Sequence, residues 1–229
     1  MEISVDSPKM SLEETILARR SVRGFLDIPV PREIIDEAME LAQRSPSNSN
    51  IQPWKVFIAS GKTRDKIRDE ILTSVTRGDF GASDFSYPGR FSHQYRKRQV
   101  ECAKLLYGEM GIARDDKRGR ISAVLRNFEF FDAPHVAFLC MEKDFPATIA
   151  ADVGIYAQTL MLAFTSLGVG TCPMGALRNH PDIVRETFGY GDNLGVLFGM
   201  AFGYEDPSIA ANRVSMGRAP VEESVVFMD

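Results

Sequence analysis

Hydrophobic positions recur along this chain with two periods, and the change from one period to the other marks its elements. Ser11-Leu12-Glu13-Glu14 has capping-box spacing and predicts a helix from 11 to 19 or 20. Pro31 opens a second helix, where its missing N–H costs nothing. Its apolar stripe is Ile34, Ile35, Ala38, Met39, Leu41 and Ala42, and it ends near Arg44. Trp54-Lys55-Val56-Phe57-Ile58-Ala59 reads as a strand. Gly61 then turns the chain into a helix over 63–75, with Ile67, Ile71, Leu72 and Val75 on one face. Helices follow over 93–110 and 118–127, and a buried strand over 135–140. The segment 148–167 is apolar nearly all round, so it belongs at the centre of a core or between subunits. A short helix over 181–187 and a glycine-rich strand over 194–202 complete the pattern. Helices outnumber strands and do not alternate strictly with them, which predicts an α+β fold and not a doubly wound sheet.

Three stretches lack either period. Residues 1–10 read as a loose arm. Residues 76–92 are broken by Gly78, Gly81, Pro88 and Gly89 and carry Phe80, Phe85, Tyr87 and Phe91, which reads as a mobile aromatic loop. Residues 205–229 form a polar arm ending in Val225-Val226-Phe227.

Composition narrows the classes. The 229 residues are 44% hydrophobic and 25% charged, ordinary for a globular chain, and the length fits one domain with insertions. A net charge of −4 gives no electrostatic case for nucleic acid. The basic runs Arg96-Lys97-Arg98 and 114–120 have acidic neighbours and read as solvated helix faces. No apolar leader precedes Ser11, and Asp152, Gln158 and Ser166 interrupt the longest apolar stretch, so no membrane span is expected. Cys102, Cys140 and Cys172 show neither disulfide nor metal spacing, which fits a reducing cytoplasm.

Two stretches carry candidate chemistry. Arg19-Arg20-Ser21-Val22-Arg23 places three guanidiniums and a hydroxyl in five residues, a set that suits a dianionic phosphate. The competing reading is a helix end whose cations offset the dipole. Ser45-Pro46-Ser47-Asn48-Ser49-Asn50-Ile51-Gln52-Pro53-Trp54 is dense in small hydrogen-bonding groups and suits the edge of a flat polar ring. No G-x-G-x-x-G between strand and helix and no P-loop occurs. His93, His135 and His180 stand apart from nucleophiles and metal partners, so any hard chemistry falls to a cofactor.

The first block, Arg19 to Phe25, resembles the entry motif of the FMN-dependent nitroreductase family. Pro46 to Trp54 resembles its second motif and Gly168-Val169-Gly170-Thr171-Cys172-Pro173-Met174-Gly175 its third. Asn212-Arg213 through Met216-Gly217-Arg218 resembles its C-terminal phosphate-contacting segment. The four blocks occur in family order. The resemblance implies a helix-wrapped, mostly antiparallel sheet in an intertwined homodimer, with FMN at the interface and 76–130 as a lid or insertion within one domain spanning 1–229. It implies that Arg19, Ser21 and Arg218 hold the phosphate, with Arg20 adding backbone or ribityl contacts and Arg23 near flavin N1 and O2. Pro46, Ser47, Asn48 and Asn50 would reach the ring from the other subunit. Pro173, Met174 and Gly175 would face the N5 and O4 edge. Met174, where some members carry an acidic residue, would make that edge more apolar. Arg23 stands where some relatives have Lys. The implied activity is ping-pong reduction of nitroaromatics, quinones or similar flat electrophiles by NAD(P)H, with Phe80, Phe85, Tyr87 and Phe91 walling the acceptor site. Reductive dehalogenation or enone reduction on the same fold, or flavin binding without catalysis, are the alternatives. No metal is implied.

Overall fold

Four strands form one antiparallel sheet in the order β1-β2-β4-β3: β1 Lys55–Ser60, β2 His135–Glu142, β3 Gly170–Met174 and β4 Leu194–Gly203. The computed structural model describes residues 10–86 and 89–228 of the chain, so most of the expected amino-terminal arm lies outside the described residues. Seven helices surround the sheet among the described residues: α1 Leu12–Ala18, α2 Arg32–Ala42, α3 Gly61–Thr76, α4 His93–Glu109, α5 Lys117–Leu125, α6 Ala150–Ser166 and α7 Pro181–Phe188.

Strand β2 shows why the core has two halves. Successive side chains point to opposite faces of a strand. Val136, Phe138 and Cys140 enter a cluster with Ile67 and Ile71 of α3 and Val184 of α7. Ala137, Leu139 and Met141 enter a second cluster with Ala38 of α2 and Tyr156, Leu160 and Phe164 of α6. Strand β2 is thus buried on both faces, and its continuous apolar run follows from that.

The helix 148–167 of the sequence reading is α6, preceded by a 3-10 turn. It is long and apolar enough to cross a bilayer, yet it lays Val153, Tyr156, Ala157, Leu160 and Phe164 on the sheet. Its other face keeps Ile155 exposed.

Strand β3 is absent from the strands expected from the pattern. Gly170, Pro173 and the following Gly175 look like breakers, but β3 lies at the end of the four-strand order, where proline is tolerated. Beyond it the chain adds one more rung: Ser21 bridges Thr171 in parallel, and the Val22 N–H donates to the Thr171 carbonyl at 2.9 Å. This rung brings the amino-terminal arginines to the end of β3. Trp54 precedes β1 instead of opening it. Its ring stacks on Tyr156 at 4.8 Å and its Nε1–H donates to Gln43 at 3.0 Å.

Candidate functional site

Helix α1 carries the expected capping box: Ser11 Oγ accepts from the Glu14 N–H and Glu14 accepts from the Ser11 N–H. The helix ends at Ala18, and Arg19 already has extended backbone (φ −60°, ψ 121°). Its last turn contains no basic residue and Arg19 is its C-cap, so the helix-end reading accounts for Arg19 at most and not for Arg20 and Arg23. Arg19 is partly buried, and burial together with the nearby charge of Arg218 weakens its hold on its proton. Arg218 reaches this point from the carboxy-terminal arm and donates to the carbonyls of Met216 and Gly217. Among the described residues neither guanidinium meets a carboxylate. Two uncompensated cations side by side suit a dianionic phosphate. Arg20 behaves differently: its guanidinium is held by both carboxylate oxygens of Glu205 at 2.6 Å, so only its backbone remains for the role expected of it.

Arg23 is fixed through its backbone. Its N–H donates to Asn212 Oδ1 at 2.6 Å, and the Asn212 amide donates to the carbonyls of Gly24 at 2.8 Å and Asp206 at 2.9 Å. Gly24 has no room for a side chain, because a Cβ there would lie 2.5 Å from Ile209. The Arg23 charge reaches Cys172 of β3, whose thiol burial pushes up to about 11 while Arg23 acts in the opposite sense. Arg23 also borders a cavity of about 500 Å³ between α4 and α5.

At the far end of β3, Pro173 and Gly175 are exposed, but Met174 is buried in the core beside Leu177. The Met174 side chain therefore does not make a ring edge more apolar, and only its backbone is left for the role expected of it. Alternation along the strand fixes this outcome. A cavity of about 390 Å³ opens here, lined by Phe85, Ser86, Pro173, Gly175, Arg178, Leu197 and Phe198. Phe85 is placed by its neighbour. Asp84 accepts from the Val196 N–H at 3.0 Å and pairs with Arg185 at 3.2 Å and Lys143 at 3.6 Å. Of the four aromatic residues expected to wall the acceptor site, Phe85 lines this cavity. Phe80 and Phe91 are 62% and 48% exposed and do not line it. Tyr87 lies outside the described residues.

The loop from Pro46 to Asn50 is held in a costly shape. Ser49, Asn50 and Gln52 adopt positive φ of 48°, 56° and 47°. Such backbone in non-glycine residues persists where its surroundings over-determine it, and it clusters at functional sites. Ser47 Oγ accepts from the Gln52 N–H at 2.9 Å, and the Asn48 N–H donates to Asp152 of α6 at 3.0 Å. Pro46, Asn48 and Asn50 are exposed. Within one chain no hydrogen bond or ion pair among the described residues joins this loop to Arg19 or Arg218.

Sequence reasoning missed Asn212, Asp84 and Arg178. Asn212 stood inside a quoted block without a role. Asp84 had no local signal, since its partners are distant in sequence, and Arg178 belongs to a turn that gave none. No group of three potential metal ligands occurs among the described residues.

The Nitroreductase family profile matches residues 16–204. The nitroreductase NfnB of Mycolicibacterium smegmatis is 39% identical over 216 residues, 94% of this chain and 92% of that one. The 4-nitrobenzoate reductase of Pseudomonas putida is 30% identical over 217 residues, 94% of this chain and 95% of that one. The crystal structure of FMN-dependent NfnB from Mycobacterium smegmatis in complex with NADPH superposes with a TM-score of 0.90 at 38% identity, covering 95% of this chain and 97% of that one. The FMN- and NADPH-dependent NfnB of Sphigopyxis sp. strain HMH gives 0.92 at 31% identity, covering 96% and 100%. With a profile match running from α1 to the end of β4 and relatives similar over nearly their whole length, the chain belongs to the Nitroreductase family.

Proposed function

We propose that this chain is an FMN-dependent NAD(P)H oxidoreductase that reduces nitroaromatics, quinones and similar flat acceptors as a homodimer. The observation that carries the reading is the pair Arg19–Arg218, without a carboxylate partner among the described residues, beside the Ser21–Thr171 rung, a seat with the charge and hydroxyl that a flavin phosphate needs. FMN bound there would take reducing equivalents from NAD(P)H and give them to the acceptor in a second half-reaction.

The chain's own residues would hold and bias that ring. Arg19, Ser21 and Arg218 would bind the phosphate. Arg23, fixed by Asn212, would set a positive charge beside the edge where two-electron reduction leaves negative charge, which favours reduction. A backbone N–H in the turn of Pro173, Met174 and Gly175 would orient the opposite edge without adding a titrating group. The cavity lined by Phe85, Leu197 and Phe198 would exclude water from the acceptor.

The dimer has its own support. Leu12, Ile16 and Leu17 of α1 and Ile155 of α6 are exposed. Such a cluster of apolar surface marks an interaction site. The free edge of β1 borders a groove of about 550 Å³ against α2, and the end segment Val225 to Met228 is exposed and of the right character to pair there from a partner copy. A partner would also bring its own Pro46, Ser47, Asn48 and Asn50 to the ring. Helices α4 and α5 leave Tyr95, Leu105, Ile121 and Val124 exposed, which suits 76–130 as a lid within one domain spanning 1–229. Three free thiols suit a reducing cytoplasm.

The test is anaerobic. The purified yellow protein is expected to bleach with NADPH or NADH and to regain its colour on addition of a nitroaromatic. Flavin that stays oxidised in the presence of both nicotinamides would overturn the reading.

A further inference from the structure

We infer that Arg178 makes the acceptor cavity selective for flat acceptors that carry an anionic group, an arene carboxylate above all. The inference rests on the proposed reading of that cavity as the acceptor site. Arg178 belongs to the 3-10 turn Gly175–Asn179, which follows β3 directly. A Cβ built on Gly175 would lie 3.0 Å from Arg178 Nη1. The guanidinium therefore lies against the one position of the turn that has no side chain to hold it away.

The walls of the cavity match the rest of such a ligand. Phe85, Leu197, Phe198 and Pro173 offer apolar surface for an aromatic ring. Arg178 is the one charged side chain among the described residues that line it. The nearby cations Arg185 and Lys143 do not line the cavity. A guanidinium in apolar surroundings can meet a carboxylate with two parallel hydrogen bonds, in a medium where each is stronger than in water. A ring with a carboxylate on one side and a reducible group on the other would then enter in one orientation, fixed by its charged end.

The test compares 4-nitrobenzoate with 4-nitrobenzamide, which has nearly the same shape and no charge. Steady-state kcat/KM for both is measured on the holoenzyme, on Arg178→Gln and on Arg178→Lys. Binding of benzoate and benzamide to the oxidised holoenzymes is followed by calorimetry, which does not depend on turnover. The carboxylate-to-amide ratio is expected to fall about tenfold in Arg178→Gln, in kcat/KM and in affinity alike, with part of it restored in Arg178→Lys. An unchanged ratio in the Gln variant would overturn the inference. So would an unchanged ratio with a KM for NADPH raised about tenfold, since the guanidinium would then serve the donor's phosphate. If the wild type turned over neither nitroarene, the proposed function would fail by itself, and the benzoate-to-benzamide affinity ratio would still decide the role of Arg178.

Discussion

Asn212 Oδ1 accepts the backbone N–H of Arg23 across 189 residues of chain, at 2.6 Å. The same side chain donates to the carbonyls of Gly24 and Asp206. One buried amide thus joins the amino-terminal arginine segment to the start of the carboxy-terminal arm. Arg19 and Arg23 belong to the first, Arg218 to the second, and their mutual geometry depends on that amide.

Asn212→Ala would strip the Arg23 N–H of its partner, while the carbonyls of Gly24 and Asp206 would lose one donor each and keep the backbone N–H groups of Asp206 and Ile209. One orphaned donor costs about 1–3 kcal/mol, and with the two lost donations the expected loss is about 2 kcal/mol. Urea denaturation measures it, and FMN titration should show weaker binding in the folded variant. Asn212→Asp keeps the acceptor for Arg23 but turns a carboxylate oxygen on the carbonyls of Gly24 and Asp206, so at neutral pH it should be no more stable than Ala. A stability equal to wild type in Asn212→Ala would refute the clamp.

Arg218→Ala should separate stability from cofactor binding. In the ligand-free protein Arg218 is a like charge beside Arg19, and its own hydrogen bonds go to two carbonyls of its local turn. Removing it should leave the ligand-free protein within about 0.5 kcal/mol of wild type. FMN affinity should drop about tenfold or more, because one charge-assisted contact to the phosphate is lost. Thermal melts without FMN and fluorescence titration with it report the two quantities. A matched loss in both would mean that Arg218 is structural.

His135 predicts a pH dependence remote from the site. The Val30 N–H donates to its Nε2 at 2.9 Å, so Nε2 carries no proton, and Nδ1 shares the remaining proton with Ser60 Oγ at 2.5 Å. Burial first, and the charge of Arg64 second, lower its pKa from 6.5 to about 4. Between those values the unfolded chain binds more protons than the folded one. Its contribution is therefore complete above about pH 6.5 and lost progressively towards pH 4, by up to about 3 kcal/mol. Urea midpoints at several pH values should fall through that window, and His135→Gln should flatten the slope. An equal slope in the variant would assign the acid sensitivity to other groups.

Much of this was legible in the chain, and what was not has physical reasons. The capping box at Ser11, the stripe of α3 and the apolar run of β2 are local patterns with local causes, and they reappear within a few residues of their expected bounds. Strand β3 was hidden because Gly170 and Pro173 look like breakers until β4 pairs with them. The burial of Met174 follows from strand alternation, which cannot be applied before the strand is recognised. Phe80 and Phe91 show the limit of composition: an aromatic loop was visible, but the contacts that seat Phe85, the Asp84 ion pairs beside it and its packing on Gly195, are distant in sequence. The part of the site proposed to come from a second copy of the chain leaves its mark only as exposed apolar surface.

That surface gives the last prediction. Leu12 and Leu17 of α1 are 72% and 77% exposed, with Ile16 beside them, while the one buried residue of the helix is Thr15. A helix that buries a threonine and exposes its leucines has its apolar face turned to something other than the described residues of its own chain. If that is a second copy, Leu17→Glu places an unpaired charge in the seam, and a buried charge without a partner costs several kcal/mol. Light scattering should then report half the wild-type mass. The same preparation should lose its visible flavin absorbance, because the Pro46 to Asn50 loop and the arginine pair would no longer meet. Leu17 contacts no phosphate or ring in this reading, so loss of colour can come only through loss of the partner. A variant that stays dimeric, or a monomer that remains fully yellow, would show that the FMN site is complete in a single chain.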